Sequence, residues 1–220
     1  MVQKHSKVAD ASAPKRRGRP RAYDPDTALA RAMETFWKSG FAATTLDDLT
    51  AATGMNRPSL YAAFGDKQDI YVKAYRKYRA QVREDFLPIL ETQGPIRATL
   101  RKIFEASCAL YLSGRDGPRG CFSVVTAASE AVADPEIRKM VVEAIVALDE
   151  AFAALFAKAI ERGELAKSAD PAALAKIATA TLHTLAVRAR VGIAKRELGA
   201  LIDASVNLIC GSKDANCGTP

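Results

Sequence analysis

From Asp24 onward, apolar residues recur at three- and four-residue intervals, and no stretch alternates apolar with polar residues for long. That period belongs to helices, so the chain is expected to fold as helices joined by short turns, without a sheet. At 220 residues, 49% of them apolar, it is long enough to bury a core and too apolar to stay disordered. No apolar run approaches the roughly 20 residues a membrane span needs. The basic N-terminus has no apolar stretch behind it, so the sequence predicts a cytoplasmic protein and not a secreted one.

Stop and start residues divide the helical pattern. Asp24 is placed to cap a first helix that runs to about Ser39, with Pro25 at its first position and Gly40 ending it. Leu29, Ala32, Met33, Phe36 and Trp37 share its buried face. Thr44 or Thr45 caps a second helix, Asp47 and Asp48 oppose the positive end of its dipole, and Gly54 stops it. Asn56 caps a third helix, with Pro58 in its first turn, which reaches about Phe64. After Gly65, Asp66 caps a long fourth helix directed toward Phe86 and Pro88. Further helices are predicted over residues 95–113, 121–133, 134–162, 170–190 and 194–209, with the Gly-rich stretch 114–120 as a loop. The fold class is therefore all-α. An N-terminal three-helix helix-turn-helix domain (23–67) precedes a larger helical domain (68–210), between a basic disordered arm (1–22) and a disordered tail (211–220).

The charge is distributed unevenly. Lys4, Lys7, Lys15, Arg16, Arg17, Arg19 and Arg21 stand against the single acid Asp10, so six of the seven net positive charges lie in residues 1–22. A basic arm on a near-neutral body points to a polyanionic partner. The four cysteines, Cys108, Cys121, Cys210 and Cys217, form no C-x-x-C pair and have no histidine at ligand spacing, so no metal site is expected. No cofactor loop, nucleophile–base pair or carboxylate–histidine pair is evident, and the chain is not expected to be an enzyme or to carry a cofactor.

Two short helices joined at Gly54 make a helix-turn-helix, with Leu49 and Leu60 placed to pack the pair together. The run TTLDDLTAATGMNRPSLYAAFGDKQDIYVKAY, residues 44–75, resembles the DNA-binding signature of the TetR (tetracycline repressor) family. The resemblance rests on Thr45, Gly54, Leu60-Tyr61, Phe64 and Lys67 at fixed spacing, and Gly120-Cys121 resembles a subgroup of that family. Two positions depart from the pattern. Thr50 replaces a smaller residue, and Ala62-Ala63 stand where many members carry His or Arg. The resemblance implies a ligand-responsive repressor, cytoplasmic and nucleoid-associated when bound, whose recognition helix enters the major groove of double-stranded operator DNA. On that reading Arg57 meets a guanine edge or a phosphate, and Ser59 either kind of group beside Pro58. Ala62 touches a thymine methyl, and Tyr61, Thr45 and Lys67 contact phosphate. Arg17-Gly18-Arg19-Pro20-Arg21, with Arg16 before it, resembles an AT-hook core that lies in a narrow minor groove.

Helix 170–190 is apolar on nearly every face, which predicts burial against a second copy; with helix 194–209 it would form a four-helix homodimer interface. Phe104, Cys108, Tyr111, Phe122, Thr126, Phe152 and His183 are candidates to line a pocket for a small-molecule effector. Cys121 follows Arg119 and Gly120 at a predicted helix start, where an arginine and a helix N-terminus favour a thiolate, so a redox or electrophile response is the alternative reading.

Overall fold

The computed structural model describes residues 23–91, 94–114 and 117–211. The predicted arm, with Arg16, Arg17, Arg19 and Arg21, lies outside the described residues, as do Cys217 and nearly all of the predicted tail. The described residues are helical and contain no strand. The helices are α1 (Pro25–Ala43), α2 (Leu46–Thr53), α3 (Arg57–Phe64), α4 (Lys67–Glu91), α5 (Ile96–Leu112), α6 (Ala128–Glu130), α7 (Pro135–Glu161), α8 (Pro171–Arg190) and α9 (Lys195–Cys210). A π-helical segment, Ser123–Ala127, leads directly into α6.

The capping residues account for most boundaries. Asp24, Asn56, Asp134 and Asp170 each accept a backbone N–H in the first turn of the following helix. Thr45 and Asp48 form a reciprocal capping box on α2. Gly40 breaks α1 with non-helical dihedrals (φ 79°, ψ 172°), and the chain takes one more turn to Ala43 beyond the predicted end. Helix α4 runs through Pro88 to Glu91 instead of ending there. The predicted helix over 121–133 is an α-helix only in part, because its first half takes the wider π turn.

Two buried clusters form. One joins α5, α7, α8 and α9 around Phe104, Phe152, Phe156, Leu182, Leu198 and Val206. The other joins α1 to α4 around Phe36, Trp37, Leu49, Leu60, Ile70, Tyr71 and Tyr75, and takes in Phe122, Ala127, Ile137 and Met140 from later in the chain. At its centre Phe122 is fully buried among Trp37, Tyr71, Tyr75 and Tyr78, with ring centroids 5.5–5.8 Å away. Among the described residues, no helix is long and apolar enough to cross a membrane.

Candidate nucleic-acid interface

The junction of α2 and α3 is built on Gly54, whose left-handed conformation (φ 70°, ψ 14°) closes α2 with an N–H donated to the Thr50 carbonyl. Buried Leu49, Met55, Leu60 and Phe64 hold the two helices on the core. Thr50 fits as a half-buried residue, its hydroxyl donating to the Asp47 carbonyl at 2.9 Å. Anchored on one side, α3 presents Arg57, Pro58, Tyr61 and Ala62 to solvent, with Ser59 half-buried. Tyr61 is 42% exposed, high for a ring that elsewhere in this cluster is packed away. Thr45 is exposed at the start of α2, while Lys67, at the start of α4, lies with its ammonium 4.4 Å from the centre of the Phe41 ring. The structure thus brings Thr45, Arg57, Pro58, Tyr61, Ala62 and Lys67 to the ends and outer face of one three-helix unit.

Two polar contacts at this unit were not expected from the sequence, which gave Asp47 only a helix-dipole role. Asp47 receives the Arg57 guanidinium at 2.7 Å, both side chains being exposed, and this pairing raises the Arg57 pKa. Lys73 donates to the Phe64 carbonyl at 2.7 Å, tying the C-terminal end of α3 to α4. The acidic residue ten positions before Arg57 gave no local signal, because only the turn at Gly54 brings the two together.

The seven candidate pocket residues do not gather around one space. Phe104, Cys108, Tyr111 and Phe152 pack in the α5–α9 cluster, and Phe122 packs in the other. Thr126 donates to the Phe122 carbonyl and is bonded to the Tyr71 hydroxyl at 3.0 Å. His183 is half-buried on α8, and its burial lowers the imidazole pKa. A groove of about 1690 Å³ lies instead between α1, α2, α4 and the chain before Cys121, and none of the seven lines it. Trp37, Tyr78 and Arg119 do; the indole N–H of Trp37 is buried without a hydrogen-bond partner.

Cys121 is half-buried, its Sγ 3.1 Å from the Tyr78 hydroxyl. The neighbouring Arg119 is committed elsewhere, its guanidinium 2.7 Å from Glu34 and stacked 4.0 Å from the centre of the Trp37 ring. Burial raises the thiol pKa of Cys108 and of Cys210.

Comparison with known proteins places this architecture. Residues 28–74 match the family model of bacterial regulatory proteins of the tetR family, and residues 95–204 match the tetracyclin repressor-like C-terminal domain. The chain belongs to the TetR family. It is 27% identical over 186 residues to the HTH-type transcriptional repressor ComR of Escherichia coli K12, covering 84% of this chain and 88% of that protein. It is 27% identical over 193 residues to the HTH-type transcriptional regulator YezE of Bacillus subtilis 168, covering 87% and 99%. Among solved TetR regulators, a cysteine-substituted CifR complexed with 26-base-pair double-strand operator DNA superposes with a TM-score of 0.76 at 31% identity, covering 86% of this chain and 98% of that one. FadR of Bacillus subtilis, in complex with stearoyl-CoA, shares the fold at 15% identity and a TM-score of 0.69.

Proposed function

We propose that this TetR-family chain is a cytoplasmic, homodimeric repressor that grips double-stranded operator DNA through α2 and α3 and leaves it when a small-molecule effector binds residues 68–210. The observation that carries the reading is the exposed row Arg57, Pro58, Tyr61 and Ala62 on a helix whose opposite side, Leu60 and Phe64, is buried. A helix anchored this way offers its N-terminal half to a major groove. The solved CifR complex with operator DNA supports it, since that protein holds the same fold. Arg57 and Ser59 read base edges or phosphates, Ala62 meets a thymine methyl, and Thr45, Tyr61 and Lys67 hold phosphates. Residues 16–21 act as an arginine arm in the minor groove.

An exposed apolar stripe supports the dimer. Ala173, Ile177, Ala180, Thr184 and Val187 follow one another at helical spacing on the outer side of α8, Val191 continues the row just past its end, and Leu208 projects from α9. Such a stripe is covered when two copies pair their α8 and α9 helices, which sets two recognition helices about 34 Å apart. An effector that disfavours this spacing by about 3 kcal/mol weakens binding roughly 100-fold. The FadR complex with stearoyl-CoA is a precedent within this fold for a bound small molecule.

The test begins by selecting duplexes from a random-sequence pool with the purified protein. Tyr61→Ala is expected to weaken binding to the selected duplex about tenfold without changing its sequence preference, and Arg57→Ala to relax that preference if it reads a base. Unchanged affinity in both variants refutes the recognition-helix assignment. Catalytic turnover without DNA binding would favour a helical-bundle enzyme instead.

A further inference from the structure

One side of the groove between α1, α2, α4 and the chain before Cys121 is built differently from the rest. There Arg119 and Gly120 both donate a backbone N–H to the Tyr111 carbonyl, at 2.8 and 3.0 Å, which fixes the loop where it passes α8. Gly120 (φ 67°) is required at that crossing. A Cβ there would stand 2.9 Å from the Ala186 carbonyl oxygen and 3.2 Å from Arg190 Cβ. The arginines Arg119 and Arg190 thus reach α1 one helical turn apart. Arg119 pairs with Glu34 at 2.7 Å and stacks 4.0 Å from the centre of the Trp37 ring, and Arg190 donates to the Lys38 carbonyl at 2.6 Å.

Three cations, Lys38, Arg119 and Arg190, stand here against the one acid Glu34, so this side is net positive. The remaining charges of the lining, Arg31 against Asp48, Glu84 and Asp85, are net negative, so an anion is drawn to the arginine side. Trp37 lines the groove at 2% exposure, and among the described residues its indole N–H has no hydrogen-bond partner. Buried donors are ordinarily satisfied, so this one calls for an acceptor. Neither arginine can serve, because a guanidinium only donates. Beside the indole, the Tyr78 ring (centroids 4.8 Å apart) and the half-buried Val82 and Leu110 supply an apolar wall.

We propose that this side of the groove binds a small organic carboxylate: its acid group accepts from Trp37 Nε1 and takes Arg119 in place of Glu34, and its apolar body lies along Tyr78, Val82 and Leu110. A carboxylate meets both needs at once, since it offers two acceptor oxygens to an N–H and to a guanidinium fork. Taking Arg119 from Glu34 also cuts one of the ties that hold α1 to the body. The proposal rests on the effector-released repressor above, and it places the effector across the junction of residues 68–210 with α1.

The probe is 1-naphthoate, with neutral 1-naphthamide and body-less acetate as comparisons, titrated calorimetrically into the full chain. Trp37 is the single tryptophan of the chain, so its indole gives one 15N–1H cross-peak in NMR spectra. Naphthoate is expected to bind at least about tenfold more tightly than either comparison and to move that cross-peak downfield. Arg119→Gln should weaken naphthoate about tenfold, whereas Glu34→Gln, which frees Arg119, should tighten it about threefold. A merely structural Arg119–Glu34 pair would not give opposite signs. If Arg119→Gln fails to fold, as judged by thermal unfolding, Arg119→Lys and Glu34→Gln carry the test. No binding by the wild type, equal binding of naphthamide, or an unmoved indole peak overturns the site. On a duplex selected from a random pool, naphthoate should weaken wild-type binding; an unchanged duplex affinity with naphthoate bound overturns the effector role and leaves the site standing. A protein that selects no duplex fails as a DNA reader, and calorimetry with the indole peak still decides the site.

Discussion

At the scale of single residues, the Arg57–Asp47 pair changes the expected behaviour of the reading head. The arginine proposed to meet DNA is held at 2.7 Å by a carboxylate of its own chain, so on that proposal binding exchanges one acceptor for another. Exposed ion pairs contribute little to folding, and the exchange matters chiefly for affinity and its salt dependence. Asp47→Asn should therefore tighten binding to a selected duplex by about threefold, read by fluorescence anisotropy, with thermal stability nearly unchanged. Weaker binding in that variant would mean that Asp47 orients Arg57 rather than competing for it. Two of the proposed phosphate-binding groups are already constrained, Lys67 by its half-buried position over Phe41 and Thr45 by its capping box with Asp48.

At the scale of elements, the buried tyrosine hydroxyls predict an alkaline limit. Burial raises the pKa of Tyr71, Tyr75 and Tyr78 above the ordinary 10.0. A raised folded value means the native state keeps protons that the unfolded chain releases. Their contribution to stability is thus complete below about pH 10 and falls as pH climbs from there toward the folded values. Denaturant titrations from about pH 8 to 11.5 should show stability declining above about pH 10, with a shallower decline in Tyr71→Phe/Tyr75→Phe. Phe122→Ala, which empties the space among the four rings, should cost about 3–5 kcal/mol in the same assay. Most element boundaries were legible in the sequence because caps and breakers act locally: Asp24, Thr45, Gly54 and Asn56 each act within the adjoining helical turn. The π segment was not, since Cys121–Ala133 has an apolar pattern that an α-helix satisfies equally well, and its extra residue answers to partners on α4. The aromatic residues proposed as a pocket lining share the spacing of core residues, so sequence could not say that Phe122 packs with the reading domain and Phe104 with the other cluster.

At the scale of the whole molecule, the two proposed means of association, the stripe on α8 and the arm before α1, can be tested separately. Ile177→Lys with Val187→Lys puts two charges on a face proposed to meet its own copy, and sedimentation should show a monomer that still folds. A persistent dimer would place the interface elsewhere. Removing residues 1–21 should lower the slope of log affinity against log salt by about one for each phosphate the arm neutralises, and an unchanged slope would show the arm to be idle. The position of Phe122 bears on how such a protein can be built or rebuilt. The reading head closes its core with a ring supplied from beyond α5, so it is not a detachable cassette. A chimaera joining residues 23–91 to another regulator's effector domain inherits an unfilled space among Trp37, Tyr71, Tyr75 and Tyr78, unless the donor supplies its own side chain of that shape at that place. For this chain, grafting a new sensor means transplanting the plug along with the socket.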